Sequence, residues 1–114
     1  MSHSTAPTLP ERNADRAIKL WSDALQPGDG WATLRAKDGE VKMTWDVKEI
    51  PQIAAWLNLG KWAADGGTPY YNLGLEPCIG AQDSLNDAVN IYNMFAELKP
   101  RGKKNWNLEI ELTT

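Results

Sequence analysis

Residues 41–47 read VKMTWDV, and their alternation decides the fold class. Val41, Met43, Trp45 and Val47 fall on one side of an extended chain, and Lys42, Thr44 and Asp46 on the other. Successive side chains of a strand point to opposite faces, so the stretch reads as a half-buried antiparallel strand. WATLRA at 31–36 is a second strand candidate, joined to the first through Lys37-Asp38-Gly39-Glu40. The Asp-Gly pair is expected to supply the positive φ of a tight hairpin turn.

Downstream, Pro51 interrupts the chain, and the apolar run IAAWLNL at 53–59 suits either a helix or a buried strand. Gly60, Gly66, Gly67 and Pro69 mark a loop that carries Trp62. YYNLGLEP at 70–77 reads as a strand stopped by Pro77. Gly80 opens a polar loop, and Asp83-Ser84 can cap a short helix reaching about Asn90. MFAEL at 94–98 is a further short strand, and Lys99-Pro100-Arg101-Gly102 is a turn. WNLEIEL at 106–112 alternates strictly, with Trp106, Leu108, Ile110 and Leu112 expected to point inward. Upstream, Ala14, Ala17, Ile18, Trp21 and Leu25 recur at helical spacing behind Asn13 as a candidate N-cap. The periodicity of 11–25 therefore favours a short helix, ended by the turn cluster at 26–30. Five or six short strands with turns between them predict a mostly β domain, an antiparallel β-sandwich or incomplete barrel with one or two short helices.

At 114 residues the chain is expected to hold one domain, spanning 11–114 behind a disordered tail at 1–10. That tail has no apolar core of a signal peptide, and no stretch approaches the ~18 apolar residues of a membrane helix. Twelve basic and fifteen acidic residues are interspersed, giving a net charge of −3, which argues against a nucleic-acid partner. Arg101, Lys103 and Lys104 form one small basic cluster, as expected of a solvated loop. Cys78 is the single cysteine: it cannot form an internal disulfide, and it lacks the partners of a zinc site. No metal or other cofactor is expected, and a reducing cytoplasm fits this usage. Six tryptophans are many for this length and suit a surface that stacks on ring-shaped ligands.

Between Trp45 and Cys78 the sequence runs WDVKEIPQIAAWLNLGKW, a Gly-rich loop, then YYNLGLEPC. This order resembles the C-terminal portion of galactose mutarotase-like proteins, the aldose 1-epimerase superfamily. Their Trp-Asp strand, Ile-Pro step, aromatic-Leu-Asn strand and Leu-Glu-Pro-Cys strand correspond to successive stretches here. Leu75-Glu76-Pro77-Cys78 is the sharpest match. The likeness covers about residues 19–112 and corresponds to the last third of a full-length member. It departs at Leu98-Lys99-Pro100-Arg101-Gly102, which carries an inserted residue.

The resemblance implies a truncated supersandwich that binds a sugar on the concave face of one sheet, and it puts Glu76 where the family's base removes the anomeric proton. Ring opening needs a base at O1 and an acid at O5 in one geometry. Trp56, Asn58, Trp62 and Tyr71 are the candidate sugar-binding residues, as aromatic platforms and an amide. Read locally, both indoles could instead be core, and Glu76 could be a structural carboxylate holding loop N–H groups. Trp45 and Trp106 are expected in the core, and Asp46 at the surface. The only histidine, His3, lies in the tail, and Tyr70 or Tyr71 would be a poor substitute for an acid, because a phenol gives up its proton reluctantly. The implied function is carbohydrate binding, with a sugar or sugar phosphate as ligand, by an epimerase-like domain that is non-catalytic alone. The alternatives are an interaction module forming a homodimer, and a mutarotase completed by a complementary N-terminal half.

Overall fold

A computed structural model describes residues 14–80 and 82–114. The tail at 1–10, His3 and the Asn13 cap lie outside the described residues. The chain is mostly β: two antiparallel three-stranded sheets with one short helical segment. Strands β1 (Arg16–Trp21), β4 (Gln52–Leu59) and β5 (Tyr71–Cys78) form the first sheet in the order β1-β4-β5. Strands β2 (Trp31–Ala36), β3 (Gly39–Trp45) and β6 (Leu108–Thr113) form the second in the order β2-β3-β6.

The β2–β3 hairpin forms as the alternation requires, with Trp31 opposite Thr44 and Ala36 opposite Gly39. Lys42 and Thr44 are exposed, while Trp45 is buried and its indole Nε1 donates to the Ile50 carbonyl at 2.9 Å. The turn is made differently from expectation, since neither Lys37, Asp38 nor Gly39 has positive φ. Glycine is needed at 39 for closeness instead: a Cβ there would stand 2.7 Å from the Thr113 carbonyl oxygen. Arg35 and Glu40, opposite one another in the hairpin, form an ion pair.

The expected helix at 11–25 is not present in its described part; residues 16–21 are β1, paired with β4 from Arg16–Leu59 to Trp21–Ala54. The spacing that suggested a helix also contains a period of two, with Ile18 and Leu20 on one side and Lys19 and Trp21 on the other. A neighbouring strand with a matching edge selects the second reading. The ambiguous run at 53–59 lies in β4 for the same reason, because both its edges are paired.

MFAEL at 94–98 is not a strand but an irregular connection, since no strand lies beside it to accept its hydrogen bonds. The helical segment starts at Ser84, whose hydroxyl accepts from Asp87 N at 3.2 Å. Leu85–Asp87 is helix α1, which widens into a π-turn at Ala88–Tyr92 and stops at Asn93 in the left-handed conformation.

Ala32, Trp45 and Ile50 form a small buried cluster, against which Leu25, Met43, Ile53 and Leu75 pack from both sheets. The cluster does not extend to β6. Leu108, Ile110 and Leu112 share the apolar face of Met43 and Trp45, but they are exposed, Leu112 by 74 %. Trp106, expected in the core, is 59 % exposed. Alternation fixed which way these residues point; it could not supply a layer to cover them.

Candidate functional site

Register in the first sheet decides which side chains meet. Directly opposed residues share a face, so Lys19, Trp56 and Gly74 lie in one row. Trp21, Ala54 and Glu76 form the next row, and Ala17, Asn58 and Asn72 the row on the other side. Gln52 and Cys78 complete this face, which is polar and aromatic. The opposite face carries Ile18, Leu20, Ile53, Leu57, Leu73 and Leu75, and is apolar. Glu76 thus belongs to a polar sheet face, and its side chain is 42 % exposed.

Two loops fold onto that face, one at each end. At the Leu59–Tyr71 end, Asn58 ties down the loop after β4. Its Oδ1 accepts from Lys61 N at 3.2 Å and Trp62 N at 3.0 Å, and its Nδ2 donates to the Trp62 carbonyl at 2.6 Å. The Trp62 ring meets Trp56 edge-on at 6.5 Å and Tyr70 edge-on at 5.7 Å. At the Gln52–Cys78 end, the buried Gln52 amide accepts from Gly80 N at 2.6 Å and donates to the Met94 sulfur. Asp83, just before the helical segment, reaches Lys19.

Lys19 is the electrostatic centre of the face. Its Nζ lies 2.9 Å from Glu76 Oε2 and 3.0 Å from Asp83 Oδ1, and 5.2 Å from the centroid of the Trp21 ring. The hydrogen bond to Glu76, followed by that to Asp83, holds the ammonium above the ordinary lysine range against the opposing effect of desolvation. One lysine between two carboxylates leaves the trio with a net charge of −1. Glu76 Oε1 is turned toward Gly74, where a methyl group would sit 3.8 Å from Oε1 and 3.7 Å from Trp56 Cβ. The missing side chain leaves a methyl-sized space between the carboxylate and the Cβ of half-buried Trp56.

The sequence-predicted residues divide. Glu76, Trp56 and Trp62 come together on this face, and Trp62 is exposed as its loop position suggested. Asn58 also lies on the face, but it is fully buried and its amide is committed to the loop, so it is a structural clamp rather than a sugar ligand. Tyr71 stands an odd number of positions from Glu76 along β5 and points to the opposite face. Its phenol cannot serve the same site. Trp45 is core, as expected, and Asp46 is at the surface, accepting from Lys48 N at 2.9 Å.

The sequence marks none of Lys19, Trp21, Gly74 and Asp83 as a site residue; Trp21 stands out in it only through a helical periodicity and Asp83 only as a cap. Lys19 and Trp21 were assigned to a helix, and the i, i+2 spacing of Lys19 and Trp21 in a strand was the signal available. Burial pushes the Cys78 thiol above its ordinary value, and its Sγ–H is directed to the Gly80 carbonyl at 3.4 Å. This is not the environment of an activated nucleophile. Two hollows, of about 380 and 280 Å³, lie elsewhere: one between Leu98, Lys103, Lys104 and Trp106, the other between Pro27, Thr44, Trp45 and Lys48. Among the described residues no three His, Cys, Asp or Glu side chains gather as a metal site, and no helix is long and apolar enough to cross a membrane.

Comparison with protein-family models, curated proteins and solved structures gave no match to this chain.

Proposed function

We propose that the chain is a carbohydrate-binding, aldose 1-epimerase-like β-sandwich domain that binds a sugar on the Glu76 face of its first sheet and does not turn it over alone. The observation that supports this most is the space at Gly74, bordered by Glu76 Oε1 and Trp56 Cβ, on the sheet face that also carries the Trp56 ring against Trp62. A carboxylate oxygen accepts from a sugar hydroxyl, and an indole face packs against the C–H side of a pyranose ring. Exposed Trp62 and Tyr70 extend the aromatic surface beyond the gap.

The Lys19 pair argues for binding over turnover. The carboxylate that would accept the anomeric proton is already engaged by the Lys19 ammonium, with Oε2 at 2.9 Å from Nζ, so one of its two oxygens is occupied by a donor. Lys19 itself is a reluctant acid because its proton is bound more tightly than in an ordinary lysine.

Titration of tryptophan fluorescence with neutral aldoses tests the reading. A saturable change is expected, weakened roughly tenfold by Gly74→Leu, which fills the gap without a backbone clash. A flat titration up to tens of millimolar of every aldose tried, on folded protein, rejects it. Polarimetric mutarotation above the buffer rate, abolished by Glu76→Gln, would replace binding with catalysis.

An interaction module is the second reading, favoured by the exposed apolar residues Leu108, Ile110 and Leu112 of β6 and Ile18 and Leu20 of β1. Under that reading the chain forms a homodimer or pairs with a complementary half, and sedimentation reads the outcome.

A further inference from the structure

Strand β6 is an edge strand in an unusual condition. It pairs only with β3, in continuous register from Trp45–Leu108 to Glu40–Thr113, so its outer backbone N–H and C=O groups have no strand partner among the described residues. Sheet edges in stable proteins are blunted by proline, lysine, a bulge or a covering segment, because an open regular edge recruits another strand. Strand β6 reads LEIELT: six residues without proline, glycine or a cation, and without a bulge in its pairing. Its one face carries exposed Leu108, Ile110 and Leu112, and its other face carries exposed Glu109 and Glu111.

Charge decides what can lie beside it. A second copy of β6, laid antiparallel across a two-fold axis at Ile110, would set Glu109 against Glu111 of the other copy. Like charges directly opposite destabilise a ladder. Within the sheet Lys42 stands opposite Glu111, whereas Glu109 faces Thr44, so a cation is supplied on the β3 side to one of the two glutamates. The open side offers two acidic positions, two residues apart, flanking an apolar row. We propose that β6 is a strand-addition site for an extended segment of another polypeptide that alternates apolar residues with lysine or arginine. Its apolar side chains extend the Leu108–Ile110–Leu112 row, and its cations stand beside Glu109 and Glu111. Main-chain hydrogen bonds supply affinity, and the alternate side chains supply choice of partner.

The probe is the acetylated, amidated heptapeptide SVKIKVS, compared with SVEIEVS, by calorimetry on the full chain. The lysine peptide is expected to bind roughly tenfold more tightly than the glutamate peptide, and more weakly as salt rises. Glu109→Lys, an exposed change that leaves the core untouched, is expected to narrow or reverse this preference. Ile110→Lys is expected to abolish binding of both peptides, with an unchanged thermal midpoint certifying the fold. Equal binding of the two peptides, no binding of either, or retention of binding in folded Ile110→Lys overturns the proposal. A dimer in sedimentation that Ile110→Lys dissolves would assign the edge to a second copy instead, and would also overturn it.

Discussion

Lys19 Nζ and Glu76 Oε2 stand 2.9 Å apart across β4, although their strands are not neighbours in the sheet. Strand β4 places small Ala54 beside Glu76, and Trp56 beside Lys19, so the two long side chains converge over Ala54. A carboxylate that the resemblance offers as a base is therefore one arm of a bridged trio with Asp83.

Glu76→Gln removes the largest influence on Lys19, and its ammonium is expected to titrate closer to the ordinary lysine range. The sign follows from linkage: the folded-state value is raised, so the stabilisation is full at neutral pH and disappears as pH rises through the folded-state titration of Lys19. The pair is partly exposed, so about 0.2–1 kcal/mol at neutral pH is the expected loss. Urea midpoints at pH 7 and at a pH above the raised titration of Lys19, beyond the ordinary lysine value of 10.5, check this. The mutant and wild type should converge at the higher pH.

Asn58→Ala removes three hydrogen bonds from a residue with no exposed surface and leaves the Trp62 carbonyl and two backbone N–H groups to find new partners. A loss of about 1–3 kcal/mol is expected. Asn58→Asp retains the acceptors but puts a carboxylate against the Trp62 carbonyl, and should cost more at pH 7 than at pH 4. Denaturant unfolding at the two pH values distinguishes the variants.

Trp45→Phe keeps a large apolar ring but deletes the indole N–H that satisfies the Ile50 carbonyl. About 1–2 kcal/mol of destabilisation is expected, against about 3–5 kcal/mol for Trp45→Ala, which also leaves a cavity in the cluster of Ala32 and Ile50. Thermal unfolding followed by far-ultraviolet dichroism ranks the two.

Cys78 is half-buried, and desolvation raises its thiol titration. Alkylation by iodoacetamide at pH 8 should be slower than for an unstructured cysteine peptide, and should match the peptide once the protein is unfolded in urea. Rapid alkylation of the native chain would contradict the placement of this residue.

The strands were legible in the sequence wherever one face is polar. VKMTWDV and WNLEIEL alternate cleanly, and YYNLGLEPC lies between the Pro69 and Gly80 signals, although β5 runs through Pro77 to Cys78 instead of stopping at the proline. β1 was not legible because the spacing in RAIKLW fits two periods, and only its pairing with β4 breaks the tie. Trp106 shows the limit of alternation, which gives direction but not cover. In the site, Glu76, Trp56 and Trp62 could be named from motif and loop chemistry. Lys19 could not, because nothing local connects it to a carboxylate two strands away. Asn58 lies on the Glu76 face with its amide committed to the loop, as an asparagine shortly before a glycine turn often spends its amide on the backbone of that turn.

The Asn58 clamp makes one end of the sheet a built-in gauge of strand alignment. Slipping β4 by a single residue would turn Asn58 to the apolar side, release Trp62 and separate its ring from Trp56 and Tyr70. The coupled near-ultraviolet signal of those three rings should therefore arise in refolding only when the β1-β4-β5 pairing is correct, and misaligned sheets should be optically silent there.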